Sequence, residues 1–401
     1  MGAVRRGPTS DDPAACAAEL RRLLSHGCDV DEGRVVDVVE RCAPSGLSDM
    51  LRQVDVHRLL HRVHDHVGGE HHRTELLDYL TRREVAHLDT DARAALVDGL
   101  QHGITRRPEE RAICSLFVST RGDALTDLKN RVDAGGDFRD LEHLVFHEID
   151  NPVVRAEMLG HIAGESVLGS GTKVISDIDD TLFCSLKDER YPRKTVYPGV
   201  RQLYRELDLA DGREGDLTFL TARPGEPSGK VENAVHHMLR RRGLPEAPVI
   251  TGTLGGLINH EHMAETKLQG LARYRAVFPE YGAVLIGDSG QGDVLFGERA
   301  VAAQGDAVRG VLIHDVKATP DDERARLRAE GVVLFDTYVD AAVEAFGLGL
   351  LSRDAVQRVA DAATREMAAI RFDSPAQREA RMAELTRALD RVAGLGGVSP
   401  R

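Results

Sequence analysis

The sequence predicts an α/β fold with a parallel sheet, preceded by an all-α domain and followed by a helical tail. Three changes of rhythm carry this reading. Up to about residue 165, apolar residues recur every three or four positions and strand-like runs are scarce. Between about 170 and 345, short apolar runs alternate with amphipathic stretches, the signature of a parallel sheet with crossover helices. From 352 to 395 the helical spacing returns.

The N-terminal region, residues 14–165, contains periodic stretches such as "LLDYLTRREVAHL" and "EERAICSLFVSTRGDALTDLKNRV". Thr105 and Asn151-Pro152 are expected to cap two of its helices. Glycines then mark a boundary in "SVLGSGTKVISDIDD". Strands are predicted at 173–177, 217–221, 248–251, 282–287, 309–314 and 332–335. Helices are predicted at 199–208, 228–241, 265–277 and 292–303. In the tail, Val356, Val359, Met367 and Ile370 form one apolar stripe. "DSP" at 373–375 breaks it, and Met382, Leu385, Leu389 and Val392 form a second. A helical hairpin packed on the core or on a partner is the expectation.

Composition narrows the function classes. The 401 residues allow two or three domains, and 42% hydrophobic content allows a sizeable core. A net charge of −13 argues against nucleic acid as the main partner, which calls for a basic face. Five cysteines (16, 28, 42, 114 and 184), odd in number and without a C-x-x-C, fit a reducing compartment better than a disulfide framework. The first twenty residues lack the apolar core of a signal peptide, and no apolar run reaches about 18 residues. The expected location is cytoplasmic or peripheral to a membrane.

Active sites of parallel sheets lie at the carboxyl ends of the strands. Four polar signals fall at such places. Asp177 and Asp179 follow the first strand, Thr221 follows "DLTFL", Lys267 opens a helix, and Asp288 and Asp293 follow "AVLIG". One aspartate after a strand is usually a helix cap. The ordered set suits phosphoryl transfer instead. A carboxylate can attack phosphorus and form an aspartyl-phosphate. Mg²⁺, held by carboxylates, brings nucleophile and phosphate together despite their like charge. A lysine and a hydroxyl steady the remaining phosphate oxygens. A second aspartate, on the same face of an extended segment, can protonate the leaving oxygen and later activate water. Asp180 points the other way and is expected to serve as a cap or loop contact.

The set closely resembles the haloacid dehalogenase-like phosphatase superfamily, whose D-x-D-x-T signature stands here as Asp177-Ile178-Asp179-Asp180-Thr181. The resemblance implies a Rossmann-like parallel sheet of that type. It also implies Asp177 as nucleophile, Asp179 as general acid/base, and Thr221 and Lys267 as phosphate-binding groups. Asp177, Asp288 and the Asp179 carbonyl would bind Mg²⁺, with Asp293 as further support. Over residues 170–340, "SDIDDT", "VYPGVRQLYREL", "FPEYGAVLIGDSGQGD" and "VRGVLIHDV" resemble the actin-patch-associated phosphatidate phosphatase family, related to lipins. That implies a phosphatidate-like lipid substrate, met at a membrane surface. Departures are "LTARPGEP", where that family usually carries a serine-rich motif, and a helical N-terminus unlike its usual companions. Rival readings are a phosphatase for protein or soluble metabolite esters, and a scaffold with a silent phosphatase fold.

The gaps from Thr181 to Thr221 and from Thr221 to Lys267 leave no room for a large cap domain. An open site suits a bulky substrate. Lys187, Arg190, Arg193 and Lys194 form a basic loop that could steer an anionic surface, or simply be solvated. Arg223 beside Thr221 could touch phosphate or form a salt bridge. His57, His61 and His64, at i, i+4 and i+7, could hold a metal or form a solvated helix face. "GTLGGL" at 252–257 lacks the order of a nucleotide-binding loop and reads as a flexible loop beside the site. The N-terminal helices and the C-terminal helices are candidate surfaces for a protein partner.

Overall fold

The computed structural model describes residues 10–395, except 26–29, 67–68, 70, 103–104, 134–139, 167–168, 170, 186, 210–215, 225–229, 245–246 and 253–258. The chain divides into two compact units, one built chiefly from residues before 168 and the other chiefly from residues after it.

The first unit is helical throughout its described residues: α1 (Pro13–Ser25), α2 (Glu32–Arg41), α3 (Leu47–Arg52), α4 (Val56–Arg62), α5 (His72–Asp78), α6 (Thr90–Gln101), α7 (Arg107–Val118), α8 (Gly122–Asp133), α9 (Leu141–His143) and α10 (Pro152–Glu165). Asp31, Asp55, Asp89 and Asp140 cap α2, α4, α6 and α9 by accepting first-turn N–H groups. Asn151 caps α10 as expected, with Pro152 in its first turn. Thr105 does not cap α7: Arg106 is the capping residue, and the Thr105 hydroxyl donates to Glu148 at 3.1 Å. The histidine face is also shorter than its spacing suggests. His57 and His61 stack on α4 at 5.8 Å, but the helix ends at Arg62. His64 lies beyond that end and bonds Glu32 at 3.0 Å.

The second unit is α/β. Its six strands are β1 (Thr172–Ser176), β2 (Leu217–Pro224), β3 (Val249–Gly252), β4 (Gly282–Asp288), β5 (Val308–His314) and β6 (Val332–Phe335). All pair in parallel, in the order β3-β2-β1-β4-β5-β6. The helices are α11 (Val200–Asp208), α12 (Lys230–Arg241), α13 (His260–Val277), α14 (Asp293–Gln304), α15 (Asp321–Ala329), α16 (Tyr338–Gly347), α17 (Arg353–Ala369) and α18 (Pro375–Gly394).

Period-two alternation gives the sheet two buried faces. On one, Val174, Leu217, Phe219, Val249, Val284, Ile286 and Leu312 join a single core with residues of α11, α12, α16, α17 and α18. On the other, α13 and α14 approach so closely that glycine is required. A Cβ on Gly270 would lie 2.7 Å from Leu220, and one on Gly297 would lie 2.6 Å from Val311. The strand order reverses between β1 and β4, so the switch-point crevice opens beyond their carboxyl ends.

Three details differ from the sequence reading. The helix carrying Lys267 begins at His260 rather than 265, so Lys267 sits inside it. The Asn259 carboxamide accepts the His262 N–H at 2.9 Å and caps it. Helices α15 and α16 add to those predicted. In α18 the inward stripe is Arg381, Leu385, Ala388 and Val392, while Met382 is 39% exposed. No large cap domain occurs among the described residues: α11 is the one helix between β1 and β2, and α12 the one between β2 and β3.

Candidate active site

Asp177 stands immediately beyond β1, its N–H bonded to the Ile286 carbonyl of β4 at 2.8 Å. Asp288 is the last residue of β4. Neighbouring parallel strands therefore deliver the two carboxylates to one point. Asp293 joins them from the first turn of α14, and oxygens of Asp177, Asp288 and Asp293 lie within 4.8 Å of one another. Among the described residues this is the one such cluster of potential metal ligands. Gly287 makes it possible, because a Cβ there would lie 2.5 Å from the Asp293 carboxylate.

Lys267, 2% exposed, reaches the cluster from α13. Its Nζ donates to Asp177 Oδ1 at 2.6 Å and also to Asp293 Oδ1. Asp293 Oδ2 accepts the Asp288 N–H at 3.2 Å, so this aspartate caps the strand end rather than its own helix. Asp288 Oδ1 takes the Gly290 N–H at 2.6 Å, and Oδ2 takes the Gln291 amide at 3.3 Å. Asp177 Oδ2 is buried and without a hydrogen-bond partner.

Three carboxylates around one ammonium leave an excess of negative charge away from water. Burial pushes Asp177 up to about 7; Lys267 opposes the rise and Asp293 adds to it. Burial, then repulsion from Asp293 and Asp177, holds Asp288 well above the ordinary carboxylate range. For Lys267, burial disfavours the charge, but Asp177 and Asp293 outweigh it and raise its pKa.

Asp179 and Thr221 are placed differently. The Asp179 carboxylate lies outside the cluster and forms an ion pair with Arg223. Thr221 is buried in β2 where the register with β3 shifts, and its hydroxyl accepts the Arg223 N–H at 3.2 Å. Such irregularities re-aim side chains beside active sites. Asp180 takes a left-handed backbone, φ 55°, and accepts the N–H groups of Ser185 at 2.7 Å and Lys187 at 2.6 Å. It anchors the loop that follows β1.

That loop holds a group of residues the motif reading missed. Arg190 belongs not to a solvated basic face but to a largely buried network. It binds Asp188 through Nε at 3.0 Å and meets His314 Nε2 at 2.8 Å. Asp188 also accepts the Tyr197 hydroxyl at 2.9 Å. His314 Nδ1 lies 3.0 Å from the Asp180 carbonyl. Burial, reinforced by Arg190, lowers His314 to about 3, so the ring is neutral. Its Nδ1–H then donates to Asp180 while Nε2 accepts from Arg190. The available signal was a histidine at the carboxyl end of β5, one strand from Asp288. Of "GTLGGL", only Gly252 is among the described residues; 253–257 lie outside them.

A doubly wound parallel sheet with acidic residues gathered at its switch point, and a buried lysine among them, is the frame of a haloacid dehalogenase-like phosphatase. Residues 172–315 match the family described as phosphatidate phosphatase APP1, catalytic domain, a family of phosphoric monoester hydrolases. The match includes Asp177, Asp179, Thr221, Lys267, Asp288 and Asp293, and stops before β6. No curated protein and no solved structure matches the chain.

Proposed function

We propose that the α/β unit is a Mg²⁺-dependent phosphatase that hydrolyses a phosphatidate-like lipid through an aspartyl-phosphate on Asp177. The observation that carries this reading is the state of the Asp177 carboxylate: Oδ1 is held by Lys267, and Oδ2 is buried with no protein partner. A fixed carboxylate with one uncommitted oxygen has the form of a positioned nucleophile.

The acidic cluster fits a hard cation. Its donors are all carboxylate oxygens, and Asp177 Oδ2 has no other partner. Asp177, Asp288 and the Asp179 carbonyl would hold Mg²⁺, with Asp293 in support. When bound, it offsets the charge that keeps carboxylate and phosphate apart.

In the first step the Asp177 oxygen attacks phosphorus as the bond to the ester oxygen breaks, and Asp179 gives that oxygen a proton. In the second, Asp179 takes a proton from water as its oxygen attacks phosphorus, and the bond to Asp177 breaks. Lys267 and Thr221 steady the phosphate oxygens. Asp179 reaches the leaving group once its pair with Arg223 opens, which frees Arg223 to meet the incoming anion.

The lipid substrate is supported by the name of the matching family and by the lack of a large cap among the described residues. The test is a panel of phosphatidate in mixed micelles beside soluble phosphoesters, with Mg²⁺. Turnover of phosphatidate is expected, and activity confined to soluble esters would remove the lipid. Asp177→Asn is expected to lower kcat by at least about 10³-fold. Fluoroberyllate is expected to bind at Asp177 in the wild type and not in the variant. Retained activity in the variant overturns the mechanism.

A further inference from the structure

The loop after the nucleophile strand is short of secondary structure, yet it is held at every turn. Its inner strands pair through Cys184 N–H to the Thr195 carbonyl and Lys194 N–H to the Cys184 carbonyl, each at 2.8 Å. Its base is tied by Asp180 and by the chain Asp188–Arg190–His314–Asp180. Tyr197 ties its exit to Asp188 at 2.9 Å, and the Cys184 thiol reaches the Tyr191 carbonyl at 3.3 Å. Further contacts to its tip and exit come from α17, α18 and the link between them, which lie beyond the segment shared with the phosphatase family.

At the tip, the Gln377 amide donates to the Glu189 carbonyl at 3.3 Å. The Phe372 ring lies 6.2 Å from Tyr191, and the Arg381 guanidinium lies 5.9 Å from the same ring. At the exit, Glu366 of α17 accepts the Gly199 N–H at 2.8 Å. Gly199 has φ +88°, and a Cβ there would lie 3.0 Å from Ala363. Under the tip, Arg381 and Glu384 form a 2.7 Å ion pair whose side chains are 10% and 15% exposed. Arg381 Nε and Nη1 and Glu384 Oε2 are buried without hydrogen-bond partners. A buried pair left partly unsatisfied is a poor source of stability, and its better-attested use is to fix a register.

We infer that the α17–α18 hairpin is a positioning element for the phosphatase reaction, clamping the loop 184–197 so that the Asp179–Asp180 backbone is held beside Asp177. Phe372 and Gln377 are its contacts with the loop tip. The inference rests on the proposed phosphatase reading.

The test uses the full chain, Phe372→Ala/Gln377→Ala, with Arg358→Ala as control. Arg358 joins α17 to Glu206 of α11 at 2.7 Å and does not touch the loop. With a soluble phosphomonoester and Mg²⁺, the double variant is expected to lose about tenfold in kcat with KM nearly unchanged. Amide hydrogen exchange at Cys184 and Lys194 is expected to quicken by roughly tenfold. The control changes neither. A loop whose exchange is unaltered in the double variant, or a loosened loop with full kcat, overturns the clamp and leaves the phosphatase reading intact. A loosened loop in a chain whose wild type turns over no ester overturns the phosphatase reading, and the catalytic half of this inference with it.

Discussion

Lys267 balances the charge at the switch point, and its loss separates two effects. Lys267→Met leaves Asp177 and Asp293 buried without their cation, which costs about 3–5 kcal/mol when a buried pair is broken. Urea denaturation is expected to show that loss, and turnover should fall with it. His314 gives the pH dependence. Its folded pKa is near 3 against 6.5 for the free side chain, so the unfolded chain binds an extra proton between those values. The His314 contribution is therefore full above about pH 6.5 and is lost, at roughly 1.4 kcal/mol per pH unit, as pH drops towards 3, while Asp177, raised by burial to about 7, acts in the opposite sense. His314→Gln, which can still donate and accept, is expected to flatten that slope in denaturation curves taken at several pH values; an equal slope would remove His314 as its source. At this scale the acidic residues were legible because strand ends are marked by where apolar runs stop. Arg190 and His314, 124 positions apart, carry no local mark. Only the fold brings them together, and spacing rules read Arg190 as a surface charge.

Among the elements, glycine governs how closely the helices approach the sheet. Gly297 on α14 leaves no room for a methyl group beside Val311. Gly297→Ala is expected to destabilise the chain by about 1–3 kcal/mol through overpacking, read as a lower urea midpoint. The six strands were legible because buried parallel strands are continuous apolar runs with glycine or polar ends. Helix α15 was not, since "DDERARLRA" is charged almost all round and buries only Leu327. Helix α16 carries both signals, a capping box of Thr337 with Asp340 and an inward face of Tyr338, Val339, Ala342, Ala345 and Phe346, and its omission from the predicted helices has no physical cause in the sequence. The inward stripe of α18 was misread for a reason related to that of α15. The periodic pattern selected Met382, whereas the face that turns inward carries Arg381, whose charge disguises a buried position. Lys267 was placed at a helix start because the polar run "NHEHMAE" resembles a loop, although its asparagine is a cap.

For the molecule as a whole, a cation that binds only the folded state raises the melting temperature by mass action. Mg²⁺ is expected to do so in the wild type, and Asp288→Asn is expected to abolish the shift, as read by thermal unfolding with and without chelator. An equal shift in the variant would place the ion elsewhere. No helix among the described residues is long and apolar enough to cross a membrane.

The single core that joins both ends of the α/β unit also sets where this chain can be shortened. Val356, Val359 and Leu385 pack in the same cluster as Val284 and Leu312. A chain ended at residue 315, where the family resemblance stops, would lose β6, expose the edge of β5 and uncover one side of the sheet. An unpaired parallel edge beside bare apolar surface invites association. The boundary of similarity is therefore not a boundary of solubility: the shortest well-behaved catalytic fragment should extend through Val392, the last buried residue of α18.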